Sequence, residues 1–402
     1  MNTLLQVTLC ALAGASPLSL EEALQRSEQV SPLVRRARAD RAQAEAARVG
    51  AAIVLPSNPI AGAWAGAGSE AGRSGAEGGV RLEQQVEIFG QRGTRLREVD
   101  ARVEAAQTLE RVALQETRAR VRAAFAAAQL SEVRVQDAAE RWSVANTFAS
   151  ALEVRLKAGA IAESDVLLAK AEVGRATAER EETRLEASLA LSELGRWVRE
   201  ASSAPVAVSA AAEAPPAPVG APGDWLSRAR SARADRLALQ RHQTALAATL
   251  DRLSREALPS PAFFVEWQRS VPAQGFGLIG GLSIPLPFVH RNQGERALVE
   301  AEQRRLELET QLFDRQLELE LEAASSAYFG LLQQWRAFHD EVLPQLDAAL
   351  EAAERGAASG KYDVFRVLQL RRERAVAIAE LRRLLGEAWR ARVELDRLMG
   401  DA

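Results

Sequence analysis

The chain has 402 residues, with 51 Lys+Arg against 54 Asp+Glu and a formal charge of −3, and so lacks the basic footprint of a nucleic-acid-binding surface. One Cys and three His cannot build a Cys/His metal cluster or a disulfide scaffold. The hydrophobic fraction is 47 %, much of it Ala, and aromatics make up 5 %, a composition suited to long, closely packed helices.

The N-terminus is a short apolar run that closes on Ala13-Gly14-Ala15, an A-x-A-like cleavage pattern. Residues 1–15 are read as a signal peptide, the competing reading being a buried N-terminal helix. Cys10 would leave with the signal. No later stretch approaches the ~20 apolar residues of a spanning helix. Any membrane crossing must use strands.

The rest of the chain is written twice. Leu55-Pro56-Ser57 recurs as Leu258-Pro259-Ser260, and Gly93 and Gly159 recur as Gly294 and Gly360, at offsets of 201–203. The copies are 16–200 and 224–402, joined by a Pro/Ala linker over 201–223. Each copy is predicted to run helix, two short strands, a very long helix, a Gly-marked turn and a second long helix. Thr94 to Ala158 contains no Gly or Pro, which predicts a helix of ~100 Å at 1.5 Å per residue. Gly330 and Pro344 interrupt the corresponding helix of the second copy. The helical stripes alone fit a plain antiparallel coiled-coil hairpin.

The strands add something else. Val80, Leu82, Gln84, Val86 and Ile88 alternate with Arg81, Glu83, Gln85 and Glu87. Their predicted partner is Ile60 to Gly68, across a glycine-rich turn from Ser69 to Gly79. In the second copy Phe263, Val265 and Trp267 alternate with Glu266 and Gln268, and a return strand runs from Phe276 to Ile284. Nine to ten residues is the length that crosses a bilayer when tilted, although alternation fits a soluble hairpin on a helix equally well. If the strands span, Val80, Leu82, Val86 and Ile88 face lipid and Arg81, Glu83 and Glu87 face the lumen. Four strands cannot close a barrel, and open edges cannot sit in lipid. Three chains would supply 12 strands, an even number in the usual range.

At this point the sequence resembles the TolC-like outer-membrane efflux factors. The resemblance rests on Leu18-Ser-Leu-Glu-Glu-Ala-Leu24 followed by Ser31-Pro-Leu33, on both Leu-Pro-Ser strand entries, and on Val342-Leu-Pro-Gln345 ahead of Gly360. Gly90-Gln-Arg-Gly-Thr-Arg95 and Arg291-Asn-Gln-Gly294 look closer to the CzcC-like branch, which serves heavy-metal cation exporters. As plain residues they read as helix starts. The resemblance implies a mostly α fold with a small β part and a homotrimer with a 12-stranded outer-membrane barrel. It further implies a long α-helical periplasmic tunnel, a periplasmic adaptor (membrane fusion protein) and an inner-membrane pump of the RND type. No cofactor, resident metal or catalytic group is expected, and no nucleic-acid partner. The expected function is a passive efflux conduit for heavy-metal cations. Drug efflux or type I secretion through the same channel, and a soluble periplasmic coiled-coil adaptor, are the alternatives.

The candidate functional positions lie at the two Gly-marked turns. Gly159 and Gly360 are expected to need positive φ and to mark the tips that dock the adaptor. Asp165 stands six residues after the first Gly, where it can cap the next helix and line a gate, two compatible roles. The corresponding residue after Gly360 is Arg366, where family members often carry Asp, with Asp363 three earlier. Asp165 and Arg366 are expected to latch the resting tip, within or between protomers, with Asp363 capping the second turn.

Overall fold

The structure, a computed structural model, describes residues 17–70, 72–199, 206–270, 275–359, 361–362 and 364–401. The signal-peptide reading, Gly360 and Asp363 lie outside the described residues.

Ser19 opens the first helix, α1 (Leu20–Val30), with a closed capping box: its hydroxyl accepts from the Glu22 N–H, and the Glu22 carboxylate accepts from the Ser19 N–H. Pro32 starts α2 (Pro32–Ala51), where its missing N–H is not needed. Then come β1 (Ile60–Glu70), β2 (Arg73–Gln85), α3 (Gln91–Lys157) and α4 (Glu163–Val198). The second half repeats the order with α5 (Pro222–Ala232), α6 (Ala234–Glu256), β3 (Ala262–Ser270), β4 (Gly275–Ser283), α7 (Gln293–Ala337), α8 (Leu343–Ala358) and α9 (Val364–Met399). At 67 residues α3 is ~100 Å long, and the run expected from Thr94 without Gly or Pro lies almost wholly inside it.

The expected break at Pro344 is not a break. Phe338–Val342 forms a π-helical turn between α7 and α8, in which the Leu343 N–H donates to the Phe338 carbonyl. Widening the helix there accommodates a proline that can neither donate to residue 340 nor fit its ring against that carbonyl. Gly330 lies inside α7 without interrupting it.

The chain forms two compact units, each drawn from both halves of the sequence: Met1–Arg35, Val112–Arg233 and Asp314–Ala402 in one, Arg36–Arg111 and Ala234–Phe313 in the other.

In the first unit, which is helical, Leu18, Ala23, Val121, Phe125, Leu194 and Val198 form a core cluster. The Pro/Ala segment after residue 205 is not free. Its carbonyls accept from side chains that line it: Tyr328 Oη to Pro216 (3.2 Å), Arg392 Nε to Pro216 (2.8 Å) and Trp389 Nε1 to Glu213 (2.9 Å). A proline-rich stretch offers few N–H donors, so donors from aromatic and Arg side chains are what can fix it.

The second unit holds a four-stranded antiparallel sheet in the order β1-β2-β3-β4, with β2 and β3 joining the two halves of the chain. The outer edges of β1 and β4 have no strand partner among the described residues. Its helices are tied in sequence. Arg38 and Arg41 of α2 pair with Glu110 of α3, Arg97 and Glu98 of α3 pair with Asp251 and Arg252 of α6, and Asn292 at the start of α7 donates to the Leu253 carbonyl of α6.

Two corrections concern β2. It begins at Arg73, so the run expected as a turn from Ser69 to Gly79 is mostly strand, and the hairpin turns around Gly72 at φ +77°. It ends at Gln85, so Val86 and Ile88 follow the strand instead of belonging to it. The charge alternation runs on because Glu87, whose side chain is largely buried, is held by Arg95 of α3.

Candidate functional site: the strand faces and the helical tip

Register decides the two faces of the sheet. Val80 lies opposite Trp267, and Trp267 opposite Leu278; Leu82 lies opposite Val265, and Phe263 opposite Leu282. Residues directly opposite share a face, so these side chains form one apolar surface. All of them are exposed, from Trp267 at 47 % to Leu278 at 74 %. Trp267 stacks on Phe276 with centroids 4.8 Å apart. A contiguous exposed patch of this kind marks contact with a partner or a membrane.

The other face is polar. Arg81 pairs with Glu83 at 2.6 Å and lies over the Phe264 ring, and Trp64 Nε1 donates to Glu266 at 2.9 Å. Gly79 stands opposite Trp64, and a Cβ there would sit 2.9 Å from both the indole nitrogen and the Trp267 backbone carbonyl, so a larger residue would have to move the ring and the neighbouring strand. Val80 and Leu82 thus lie on the opposite face of the sheet from Arg81 and Glu83. Val86 is half-buried beyond the strand, its N–H bonded to the Pro261 carbonyl, and Ile88 is exposed.

Both strand-to-helix junctions use the same device. Gly90 (φ 79°) and Asn292 (φ 57°) adopt left-handed backbone immediately before α3 and α7. The next residue, Gln91 or Gln293, turns its side-chain oxygen back to accept from the N–H of Phe89 or Arg291, at 3.0 and 2.7 Å. Asn is the residue other than Gly that tolerates this conformation best. The two junction motifs therefore act as helix starts.

In the helical unit α3 ends in a Schellman motif. Gly159 has φ +70°, its N–H donates to the Leu156 carbonyl, and the Ala160 N–H donates to the Arg155 carbonyl. The positive φ expected at Gly159 is present. At the second turn the Lys361 N–H donates to the Gly356 carbonyl at 2.8 Å. Beneath the first turn Leu152, Val166 and Ala169 are buried together, with Leu368 of α9 packed on them. Lys170 hydrogen-bonds Glu153 and holds its carboxyl below the usual range.

Asp165 is half-buried at the third position of α4; the N-cap is Ala162, with no side-chain cap bond. Capping by the Asp165 side chain is thereby corrected: α4 begins at Glu163, and toward that helix Asp165 is a first-turn charge on the helix dipole. Arg366 is exposed and lies over the Tyr362 ring at 5.6 Å. Within the chain Asp165 and Arg366 form no ion pair among those of the described residues.

Sequence reasoning missed two features here. Leu167, Leu168, Tyr362 and Phe365 are exposed near the turns. The signal was present in Val166-Leu167-Leu168, since successive helical residues cannot all face one core. The second feature is a cleft of about 650 Å³ lined by α3, α4, α8 and α9, with Phe148 at its wall under Arg371 and the pair Arg382–Asp137 across it.

Gly159→Val is expected to strain the left-handed turn by about 1–3 kcal/mol. Urea unfolding followed by circular dichroism checks this, and an unchanged midpoint would show that the turn does not depend on the left-handed conformation.

Among the described residues no helix is long and apolar enough to cross a membrane, and no His/Cys/Asp/Glu group could hold a metal ion. No family model matches the chain. No curated protein matches it. Solved structures do. CusC, known from a study of its folding and transmembrane channel formation, superposes with a TM-score of 0.74 at 15 % identity, covering 95 % of this chain and 92 % of CusC. A membrane protein from Pseudomonas aeruginosa gives 0.76 at 18 % identity, over 95 % and 90 %. The outer membrane protein VceC of Vibrio cholerae gives 0.72 at 17 % identity, over 95 % and 96 %. Long helices and the small antiparallel sheet are matched together over nearly the whole chain, so its fold is that of outer-membrane channel proteins.

Proposed function

We propose that the chain is one protomer of a homotrimeric outer-membrane channel, built from repeats 16–200 and 224–402 and exported by the signal over residues 1–15. It serves as the passive exit duct of a tripartite efflux system in a Gram-negative envelope. One observation carries the reading: a sheet with one exposed apolar face, one charged face and two unpaired edges. Such a sheet is satisfied in lipid only when copies pool their strands into a closed cylinder. A soluble adaptor would have no use for the apolar face. The first test is extraction and mass: carbonate should leave the protein in the membrane, and detergent should release trimers. A stable monomer in the carbonate wash would end the proposal.

The partners follow from the same reading: a periplasmic adaptor at the Gly159 and Gly360 turns, and an inner-membrane pump of the RND type. The cargo we propose is heavy-metal cations, supported by the likeness of the two junction motifs to the CzcC-like branch. Those motifs work as helix starts, so the likeness identifies the branch and assigns no cargo contact. Metal, drug and secretion phenotypes of a deletion strain should separate metal export from the other two uses of such a channel.

We propose the tip latch between protomers, a reading supported by the lack of an Asp165–Arg366 pair among the described residues of one chain. Each exposed pair is worth less than about 1 kcal/mol, but three act together in a trimer. Arg366→Glu should raise single-channel conductance, and adding Asp165→Arg should partly restore the lower state. Unchanged conductance in both single variants, at low and high salt, would exclude the latch.

A further inference from the structure

We propose that the cleft lined by α3, α4, α8 and α9 is a binding site for a flat, amphipathic organic cation. The cleft lies within one chain, so the proposal is independent of the trimeric reading. At about 650 Å³ it has the size of a small-molecule pocket. Small side chains keep it hollow: Ala145 on α3, Ala176 on α4 and Ala375 on α9 leave space that larger residues would fill. Val144, Phe148, Leu350 and Ile378 give it an apolar lining.

Charge decides the sign of the ligand. Seven acids and five Arg line the cleft. Six of the acids are each paired with an Arg, one of these being Arg355 just outside the lining, as Asp137 is with Arg382 and Glu354 with Arg371. Every Arg of the cleft is thereby neutralised, which disfavours an anion. Glu140 is the acid left over; it is exposed and has no partner among the described residues. The other end of the cleft offers a donor. Arg371 lies over the Phe148 ring at 4.3 Å and gives both Nε and Nη2 to one Glu354 oxygen. Its Nη1 is buried with no hydrogen-bond partner among the described residues. A buried N–H without an acceptor is costly, and a ligand carbonyl would meet it. Glu140, Val144 and Phe148 recur in steps of four along α3 and share a face. That spacing sets the carboxylate ~12 Å from the level of the ring, at 1.5 Å per residue. The site thus holds a carboxylate for a cation, an apolar wall for a flat body and an N–H for an acceptor at the far end.

The test uses rhodamine 6G, a planar xanthene cation with an ester carbonyl, and fluorescein, an anion on the same ring system. The detergent-extracted full chain is titrated with each dye, and fluorescence anisotropy is read against empty micelles. Rhodamine 6G should bind saturably, and fluorescein roughly tenfold more weakly, since its charge meets Glu140 with the wrong sign. Glu140→Gln, a change at an exposed position, should weaken rhodamine 6G by up to roughly fivefold, as for a solvent-exposed ion pair, and narrow the gap between the dyes. Ala145→Trp, which fills the cleft, should abolish rhodamine binding. Equal affinity for the two dyes, or a Glu140→Gln protein that binds rhodamine 6G like wild type, overturns the proposal. Access is read separately with Ala145→Cys in a Cys10→Ser background. A water-soluble maleimide should label the new thiol, and rhodamine 6G should slow the labelling. A thiol that is unreactive before dye is added would show that a second copy or another protein covers the cleft, and would overturn the proposal as well.

Discussion

In the proposed membrane-inserted trimer, Val80→Arg is expected to lower stability by about 2–4 kcal/mol, the cost of a guanidinium on a lipid-facing strand position near the bilayer midplane. Val80 sits near the middle of its strand, more than half exposed, in a cross-strand row with Trp267 and Leu278. Leu278→Arg, in the same row, should cost a similar amount. Val86→Arg should cost only about 0–1 kcal/mol, the value near the interface, because β2 has already ended at Gln85. The measurement is the urea midpoint for trimer dissociation in lipid vesicles. Equal losses at positions 80 and 86 would mean that the strand does not span where its pairing places it. Arg81→Val, on the polar face, should disturb the pair with Glu83 and leave the lipid contact alone.

The contrast between positions 80 and 86 shows what can be read from sequence and what cannot. Alternation located the apolar face of β2 but overshot its end, because Glu87 continues the pattern while serving Arg95 of α3. The start was undershot for the opposite reason. Glycine is a poor strand former, yet from Arg73 to Gly79 the ladder to β1 supplies the order that side chains do not. The turn at Gly159 was legible because a lone Gly after a long Gly-free run has one common use, the left-handed cap. The exact start of α4 was not, so Asp165 was placed on a cap that Ala162 occupies. The lateral order of the helices was beyond reach. It depends on β2 pairing with β3, and Val80 is far from Trp267 in sequence. Local pattern carries no information about that pairing.

The linker gives the other large expectation, and again its partners come from far along the chain. Tyr328→Ala should cost about 3–5 kcal/mol, as for a large aromatic removed from a packed site. Tyr328 is fully buried, its ring stands edge-on to Phe329 at 5.2 Å, and its hydroxyl reaches the Pro215 and Pro216 carbonyls. Arg392 also donates to Pro216, so Tyr328→Phe keeps the ring and a partner for that carbonyl. It should lose only about 0.5–1.5 kcal/mol. The two variants differ in pH behaviour as well. Burial pushes the Tyr328 phenol above its ordinary value. The folded state therefore holds the proton more tightly than the unfolded chain, and stability is lost as pH rises past the unfolded value of about 10. Tyr328→Phe should remove that share of the alkaline loss while matching wild type in slope near neutrality. Urea unfolding followed by circular dichroism at neutral and alkaline pH gives both readings. A Tyr328→Ala protein as stable as Tyr328→Phe would show that the ring does not support the linker, and that Trp389 and Arg392 hold it without help.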